Sequence, residues 1–186
     1  MNTIVPVEFV EFRKIPRLSR ECVITEKIDG TNAQIHIDES GTFIKVGSRS
    51  RWLTFEEDNY GFYKWAMENR EELLLLGPGR HFGEWWGGGI QRGYGLPKGE
   101  KRFSLFNTSR WNADTPPPSC CSVVPVLYRG EFDTRAVLCS IEALRAYGSF
   151  AAPGFMRPEG VVVYHVAANQ YFKKTLEKDE APKGQQ

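Results

Sequence analysis

The chain is poor in the features that would place it in several large protein classes. Its four cysteines, Cys22, Cys120, Cys121 and Cys139, have no CxxC spacing and two are neighbours, which argues against a zinc knuckle or a disulfide framework and for reduced cytosolic thiols. Its three histidines, His36, His81 and His165, are scattered and read as structural groups, not as a ligand cluster. No apolar run approaches the roughly 20 residues that cross a bilayer. The opening Met1-Asn2-Thr3-Ile4-Val5-Pro6 has no basic region followed by a long apolar stretch, so no signal peptide is expected. A net charge of +1 excludes a globally basic nucleic-acid binder and leaves only local basic surfaces. Gly87-Gly88-Gly89 does not match a Walker loop, and no internal repeat is evident.

What remains is an ordinary globular composition, 186 residues with 41% hydrophobic and 25% charged, enough for one domain with a substantial core. Ala33, Ile35 and Ile37 alternate with polar residues, Glu39-Ser40-Gly41 turns the chain, and Thr42 to Val46 returns it, which predicts a hairpin. Phe62, Trp65, Ala66, Leu73 and Leu76 have helical spacing, with Asp58 or Asn59 as cap and Gly77-Pro78-Gly79 as stop. A glycine-rich stretch, Gly83 to Gly95, precedes a short strand around Phe103 to Phe106. The three prolines of Asp114-Thr115-Pro116-Pro117-Pro118 cannot donate ladder hydrogen bonds and mark a loop. Val123 to Leu127 predicts a strand, and Asp133 or Thr134 caps a second helix that ends before Gly148. Gly160 to Val166 is a β-branched strand with Tyr171-Phe172-Lys173 as its partner. Strands interrupted by two helices predict an α+β domain with largely antiparallel sheets flanked by helices.

Residues 26–32, Glu-Lys-Ile-Asp-Gly-Thr-Asn, carry the most chemistry. A lysine beside an acid and a glycine, at the entrance to a strand, suits a nucleophile. Lysine amines have an ordinary pKa of about 10.4, so one that attacks phosphorus must first be made to shed its proton, by burial, neighbouring cations or a metal. Asp29 would orient Lys27 or bind metal-linked water, and Gly30 would let the backbone approach a nucleotide. Alone, Lys-x-Asp-Gly is a weak four-residue match that reads more readily as a charged turn ahead of a strand.

Five further motifs follow in order. They are Gly47-Ser48-Arg49-Ser50-Arg51, Phe82-Gly83-Glu84-Trp85-Trp86-Gly87, Phe103-Ser104-Leu105-Phe106-Asn107, Glu159-Gly160-Val161-Val162-Val163 and Tyr171-Phe172-Lys173-Lys174. With Lys27-Ile28-Asp29-Gly30 at their head, they resemble the covalent nucleotidyltransferase superfamily of ATP-dependent DNA and RNA ligases and mRNA capping enzymes, and within it the RNA ligase branch. The resemblance spans roughly residues 20 to 175. It implies an ATP-grasp-like adenylylation domain over residues 1–176 with a polar tail over 177–186. It implies Lys27 as nucleophile, Arg49 near the nucleotide sugar and the incoming 5′-phosphate, Glu84 on the ribose, Phe106 stacked on adenine and Glu159 supporting the metal. Lys173 would sit on the α-phosphate, with Lys174 as the alternative, and Glu26 joins the nucleotide contacts.

The physics of the residue types agrees with these roles. A guanidinium fork suits phosphate oxygens. An acid entering an apolar strand without a cation is costly, and a magnesium or manganese ion at Glu159 would relieve it. Only one of two adjacent strand lysines can face inward. Two departures stand out: Asn107 where the family's motif often ends in aspartate, and adjacent lysines followed by Thr175 where two lysines one residue apart are common.

The implied function is an ATP-dependent polynucleotide ligase that forms lysyl-AMP, passes AMP to a 5′-phosphate and seals it to a 3′-hydroxyl, with RNA favoured. The alternatives are a GTP-using guanylyltransferase and a non-catalytic nucleic-acid-end binding module. The chain ends soon after the last motif, with little room for the OB or helical domain that relatives append, which leaves three expectations: a minimal ligase, a ligase that needs an accessory protein or domain in trans, or an enzyme that adenylylates better than it seals. Candidate substrate contacts are Arg13, Lys14, Arg17, Arg20, Arg92, Lys98, Lys101 and Arg102. Compactness points to a phage or bacterial source and a cytoplasmic location.

Overall fold

A computed structural model describes residues 7–177 and residue 179. Of the polar tail expected over 177–186, all but Glu177 and Asp179 lies outside the described residues. Two sheets form the frame. The first has the order β7-β1-β8-β9, with β1 Glu21–Lys27, β7 Val126–Glu131, β8 Gly160–His165 and β9 Gln170–Thr175. The second has the order β3-β2-β4-β5-β6, with β2 Thr31–Ile37, β3 Ile44–Ser48, β4 Gly79–Gly87, β5 Lys101–Leu105 and β6 Cys121–Val123. Every pairing is antiparallel except β5 with β6, which is parallel. This is the mixed helix-and-sheet architecture expected from the sequence. Among the described residues no helix is long and apolar enough to cross a membrane.

The expected hairpin is β2–β3, and its turn is closed by Asp38, whose Oδ1 accepts from the backbone of Thr42 at 3.0 Å and Phe43 at 2.9 Å. The first helical region is two short pieces, α1 Phe62–Glu68 and α2 Arg70–Leu74, broken at Asn69 (φ −105°, ψ 18°) instead of one helix to Leu76. Asp58 does cap it, accepting from Tyr63 N at 2.7 Å and Lys64 N at 3.2 Å. The last helix, α3 Thr134–Tyr147, is capped by Asp133, whose side chain accepts from Arg135 N, and stops at Gly148 (φ 77°). The strand expected over Val123 to Leu127 is split, because the chain leaves β6 and starts β7 on the other sheet around Pro125.

Burial separates the faces of each sheet. Ala33, Ile35 and Ile37 of β2 pack with Trp85, Phe103 and Leu105 against Phe62, Ala66 and Leu73 of the short helices. Cys22 and Ile24 of β1 and Val161 and Val163 of β8 pack against Ile141 and Leu144 of α3. Side chains alternate across a strand. The opposite faces therefore carry Thr25 and Lys27 on the first sheet and Asn32, Glu84 and Ser104 on the second, with Asn32 opposite Glu84 and Glu84 opposite Ser104. A third cluster, Ile28, Trp86, Tyr94, Val124 and Ala152, joins the two sheets at one end.

Candidate active site

Lys27 ends β1, and Glu159 stands immediately before β8, the strand paired with β1. The pairing of Lys27 with Gly160 brings the amine Nζ to 2.5 Å from Glu159 Oε2, with both side chains mostly buried, 24% and 16% exposed. Glu84 reaches the same space from the second sheet. Its Oε1 accepts from Gly30 N at 3.1 Å and its Oε2 from Asn32 Nδ2 at 2.8 Å. Burial pushes the Glu84 carboxyl up to about 7, against the opposing pull of the Lys27 charge and of the bonds from Gly30 and Asn32. The Glu159 charge adds to the upward shift. Three groups from distant motifs thus share one electrostatic environment.

Gly30 permits that approach for a reason the sequence does not announce. A Cβ there would sit 2.4 Å from the carbonyl oxygen of Trp85 and 2.7 Å from the Trp86 Cβ. The glycine is required by β4 passing over it. Asp29, expected to orient Lys27 or bind metal-linked water, instead places its carboxylate 3.0 Å from Arg92 Nε. Its backbone N–H donates to the Tyr94 hydroxyl at 2.9 Å. Tyr94 is buried between Trp86 and Phe155, and burial raises its phenol.

Glu26, grouped by sequence with the nucleotide contacts, points to the opposite face of β1 from Lys27. It is 1% exposed, and its Oε2 accepts from Phe150 N at 2.8 Å and Ala151 N at 3.0 Å. Burial raises its carboxyl. Its place in the structure is to hold the loop before β8. The two lysines of β9 divide by register. Lys173 pairs with Val162, which pairs with Thr25, so Lys173 shares the Lys27 face and is exposed. Lys174 pairs with Val161 on the α3 face and its Nζ lies 3.0 Å from Asp179 Oδ2.

Phe106 follows β5, half-buried against the cluster of Ile28, Trp86 and Tyr94. Asn107, the amide in place of an acid, accepts from Ser109 N and Arg110 N and closes a turn. Arg49 stands exposed just past β3, at the end of the sheet where β2 begins, outside the hydrogen-bonded cluster. His81 and His165 bond backbone carbonyls of Gly77 and Leu18. Of the expected substrate cations, Arg92 is engaged inside the protein and Arg102 pairs with Glu100 at 2.8 Å. Residues 7–17 carry Arg13, Lys14 and Arg17 without regular structure and exposed.

Sequence reading missed Asn32, Tyr94 and the true partners of Arg92. Asn32 follows Gly30 by two residues and could have been found as the polar residue opposite a strand acid. Nothing local signals the other two.

No curated protein matches the sequence. Solved structures of Naegleria gruberi RNA ligase share the fold. A variant solved with ATP and manganese superposes with a TM-score of 0.58 at 18% identity, covering 85% of this chain and 50% of that one. An apo variant gives 0.58 at 20% identity, covering 84% and 49%. A third, with AMP and manganese, gives 0.57 at 19% identity, covering 85% and 50%. This chain therefore spans about half the length of those ligases. The RNA ligase family model matches residues 20–176, and that stretch contains both sheets and the Lys27–Glu159–Glu84 cluster they enclose; the chain belongs to the RNA ligase family.

Proposed function

We propose that the protein is an ATP-dependent polynucleotide ligase, with RNA as the favoured substrate, that works through a lysyl-AMP intermediate. The observation that carries this reading is the Lys27 amine held 2.5 Å from Glu159 in a cleft that also receives Glu84. The pair fixes the position of the amine within the cleft, where a bound nucleotide could be aimed at it. Lys27 Nζ attacks the α-phosphorus of ATP, a nitrogen–phosphorus bond forms, the α–β phosphoanhydride breaks and pyrophosphate leaves. AMP then passes to a 5′-phosphate, and a 3′-hydroxyl displaces it to close the strand.

The positions of the other residues support the roles proposed for them. Lys173, on the Lys27 face two rungs along and two strands over, offsets charge on the α-phosphate oxygens. Phe106 offers a ring to the base, a contact worth roughly 1–3 kcal/mol in nucleic-acid stacking. Glu84 is the acid assigned to a ribose hydroxyl, and Arg49, exposed just past β3, is the cation assigned to an incoming phosphate.

The donors fit a hard divalent cation. Glu159 would hold it, and no group of three or more His, Cys, Asp or Glu able to hold a metal occurs among the described residues. Magnesium or manganese bound through one or two carboxylates, water and substrate phosphate needs no larger protein cage. When bound, such an ion supplies positive charge that favours the free amine and neutralises phosphate oxygens.

Incubation with α-labelled ATP and magnesium is expected to leave label on the protein, resistant to denaturation, and unlabelled ATP, not GTP, should compete it away. Lys27→Ala should abolish the label. Full labelling of that variant refutes Lys27 as nucleophile, and competition by GTP alone moves the activity to guanylyl transfer. A sealing panel with matched RNA and DNA strands bearing 5′-phosphate and 3′-hydroxyl ends then identifies the substrate, and adding a candidate accessory domain tests help in trans.

A further inference from the structure

Arg92 lies in the loop between β4 and β5, immediately before a tight turn at Gly93–Gly95. Its side chain is 29% exposed, and its guanidinium makes contacts on all sides. Nε donates to Asp29 Oδ2 at 3.0 Å. Nη1 donates to the carbonyl of Arg157 at 3.1 Å and to that of Pro158 at 3.5 Å. Nη2 stands 3.8 Å from Glu177 Oε2.

These partners come from three separate stretches of chain. Asp29 is in the turn that follows Lys27. Arg157 and Pro158 lead directly into Glu159. Glu177 lies just past β9, the strand that carries Lys173. One planar fork therefore ties together the backbone supports of the amine, its carboxylate partner and the cleft lysine, and touches none of those three groups itself.

The loop that delivers Arg92 is held in an unfavourable shape. Gln91 (φ 44°) and Tyr94 (φ 50°) are non-glycine residues in the left-handed region. Such conformations cost on the order of 1 kcal/mol or more and persist where the surroundings over-determine them. Here Tyr94 is buried, and its hydroxyl accepts from Asp29 N at 2.9 Å and donates to the carbonyl of Lys27 at 3.4 Å. The loop thus grips the Lys27–Asp29 backbone at two points, through Tyr94 and through Arg92.

We infer that Arg92 is a positioning residue that sets the approach of Lys27 and Glu159, and not a contact for nucleic acid. A guanidinium serves a carboxylate and two carbonyls from separate nitrogens in fixed planar directions; the three donors of a lysine radiate from a single nitrogen and do not reproduce that spread. The kinetic consequence rests on the proposed nucleotide transfer at Lys27; the structural consequence does not.

The test uses the full chain and the variants Arg92→Ala and Arg92→Lys. Amide hydrogen exchange is expected to speed up in both variants at residues 28–31 and 157–160, and to stay unchanged in α3 and β7. Single-turnover labelling with ATP is expected to slow about 10- to 100-fold at saturating nucleotide, the size expected for a misplacement near 1 Å. Half-saturating ATP should move less than about twofold, since Arg92 is not placed on the nucleotide. Millimolar guanidinium should restore part of the Arg92→Ala rate, which a folding defect would not allow.

Should Arg92→Ala fail to fold, Arg92→Lys carries the same two readouts. Unchanged exchange at 28–31 and 157–160 overturns the inference whatever the rates do. A rise in half-saturating ATP with the maximal rate preserved also overturns it, because Arg92 would then be a binding group. If the native chain takes no label from any nucleotide, the proposed ligase function fails, and the exchange data alone decide the role of Arg92.

Discussion

The raised carboxyl of Glu84 makes a prediction about stability that needs no substrate. In the folded protein burial holds it protonated up to about 7, whereas an ordinary glutamate titrates near 4.5. The folded state therefore binds the proton more tightly than the unfolded chain. Stability linked to this group is fully present at pH well below 4.5 and is lost as pH rises toward 7, then levels off. One pKa unit corresponds to about 1.36 kcal/mol, so the interval corresponds to about 3 kcal/mol, of which about 2.5 is lost between pH 5 and 8. Glu84 is 7% exposed, so solvent screening removes little of this.

Glu84→Gln isolates the effect. The amide keeps one acceptor for Gly30 N or Asn32 Nδ2 and loses the other, at about 1 kcal/mol independent of pH. Urea unfolding, followed through the buried Trp85 and Trp86, should show the native chain weakening by about 2 to 3 kcal/mol from pH 5 to 8 relative to the variant. Glu26 is also raised by burial and drives the same trend, but it is present in both proteins and cancels. Parallel pH curves for native and Glu84→Gln would refute the claim that Glu84 is held protonated by its surroundings.

Two other outcomes follow from the geometry. Gly30→Ala forces a Cβ to 2.4 Å from the Trp85 carbonyl, where backbone must move, so a loss of about 1–3 kcal/mol is expected in thermal or urea unfolding; unchanged stability would show that β4 does not close over the turn. Lys173→Ala should cut nucleotide labelling at least about 10-fold, the scale of one lost charge-assisted contact, and Lys174→Ala should leave it within about twofold, because register puts only Lys173 on the Lys27 face; equal losses would contradict that assignment.

The elements legible in the sequence were those whose burial is one-sided. The hairpin alternates because β2 has one face on the helices and one on the cleft. The helix after Asp133 has a cap, an apolar stripe and a terminal glycine, all local signals. β1 was not legible, because Cys22, Val23 and Ile24 are buried in succession and such a run has no period to read. β4 was hidden by its glycines. They are usually strand breakers, yet Gly83 is there because a Cβ would meet the Ser104 carbonyl at 2.5 Å.

The candidate site divides in the same way. Lys27, Glu84, Glu159 and Lys173 were picked out by the resemblance of their motifs to the ligase superfamily, and the structure gathers Lys27, Glu84 and Glu159 in one place. What the sequence did not reveal is which groups answer them. Arg92 lies 63 residues from Asp29 and 65 from Arg157, and it reads as one more surface cation until the loop is folded. Asp29 looked like a partner for Lys27 because they are two residues apart, but the strand ends at Lys27 and the turn carries the acid toward the loop instead. Adjacency along the chain was misleading here because a turn separates the directions of near neighbours, while antiparallel pairing of β1 with β8 brings Glu159, 132 residues away, within 2.5 Å of the amine. Charge complementarity in this cleft is therefore set by strand register, and a one-residue slip of β8 against β1 would send Glu159 away from Lys27 and turn the strand's other face to the cleft.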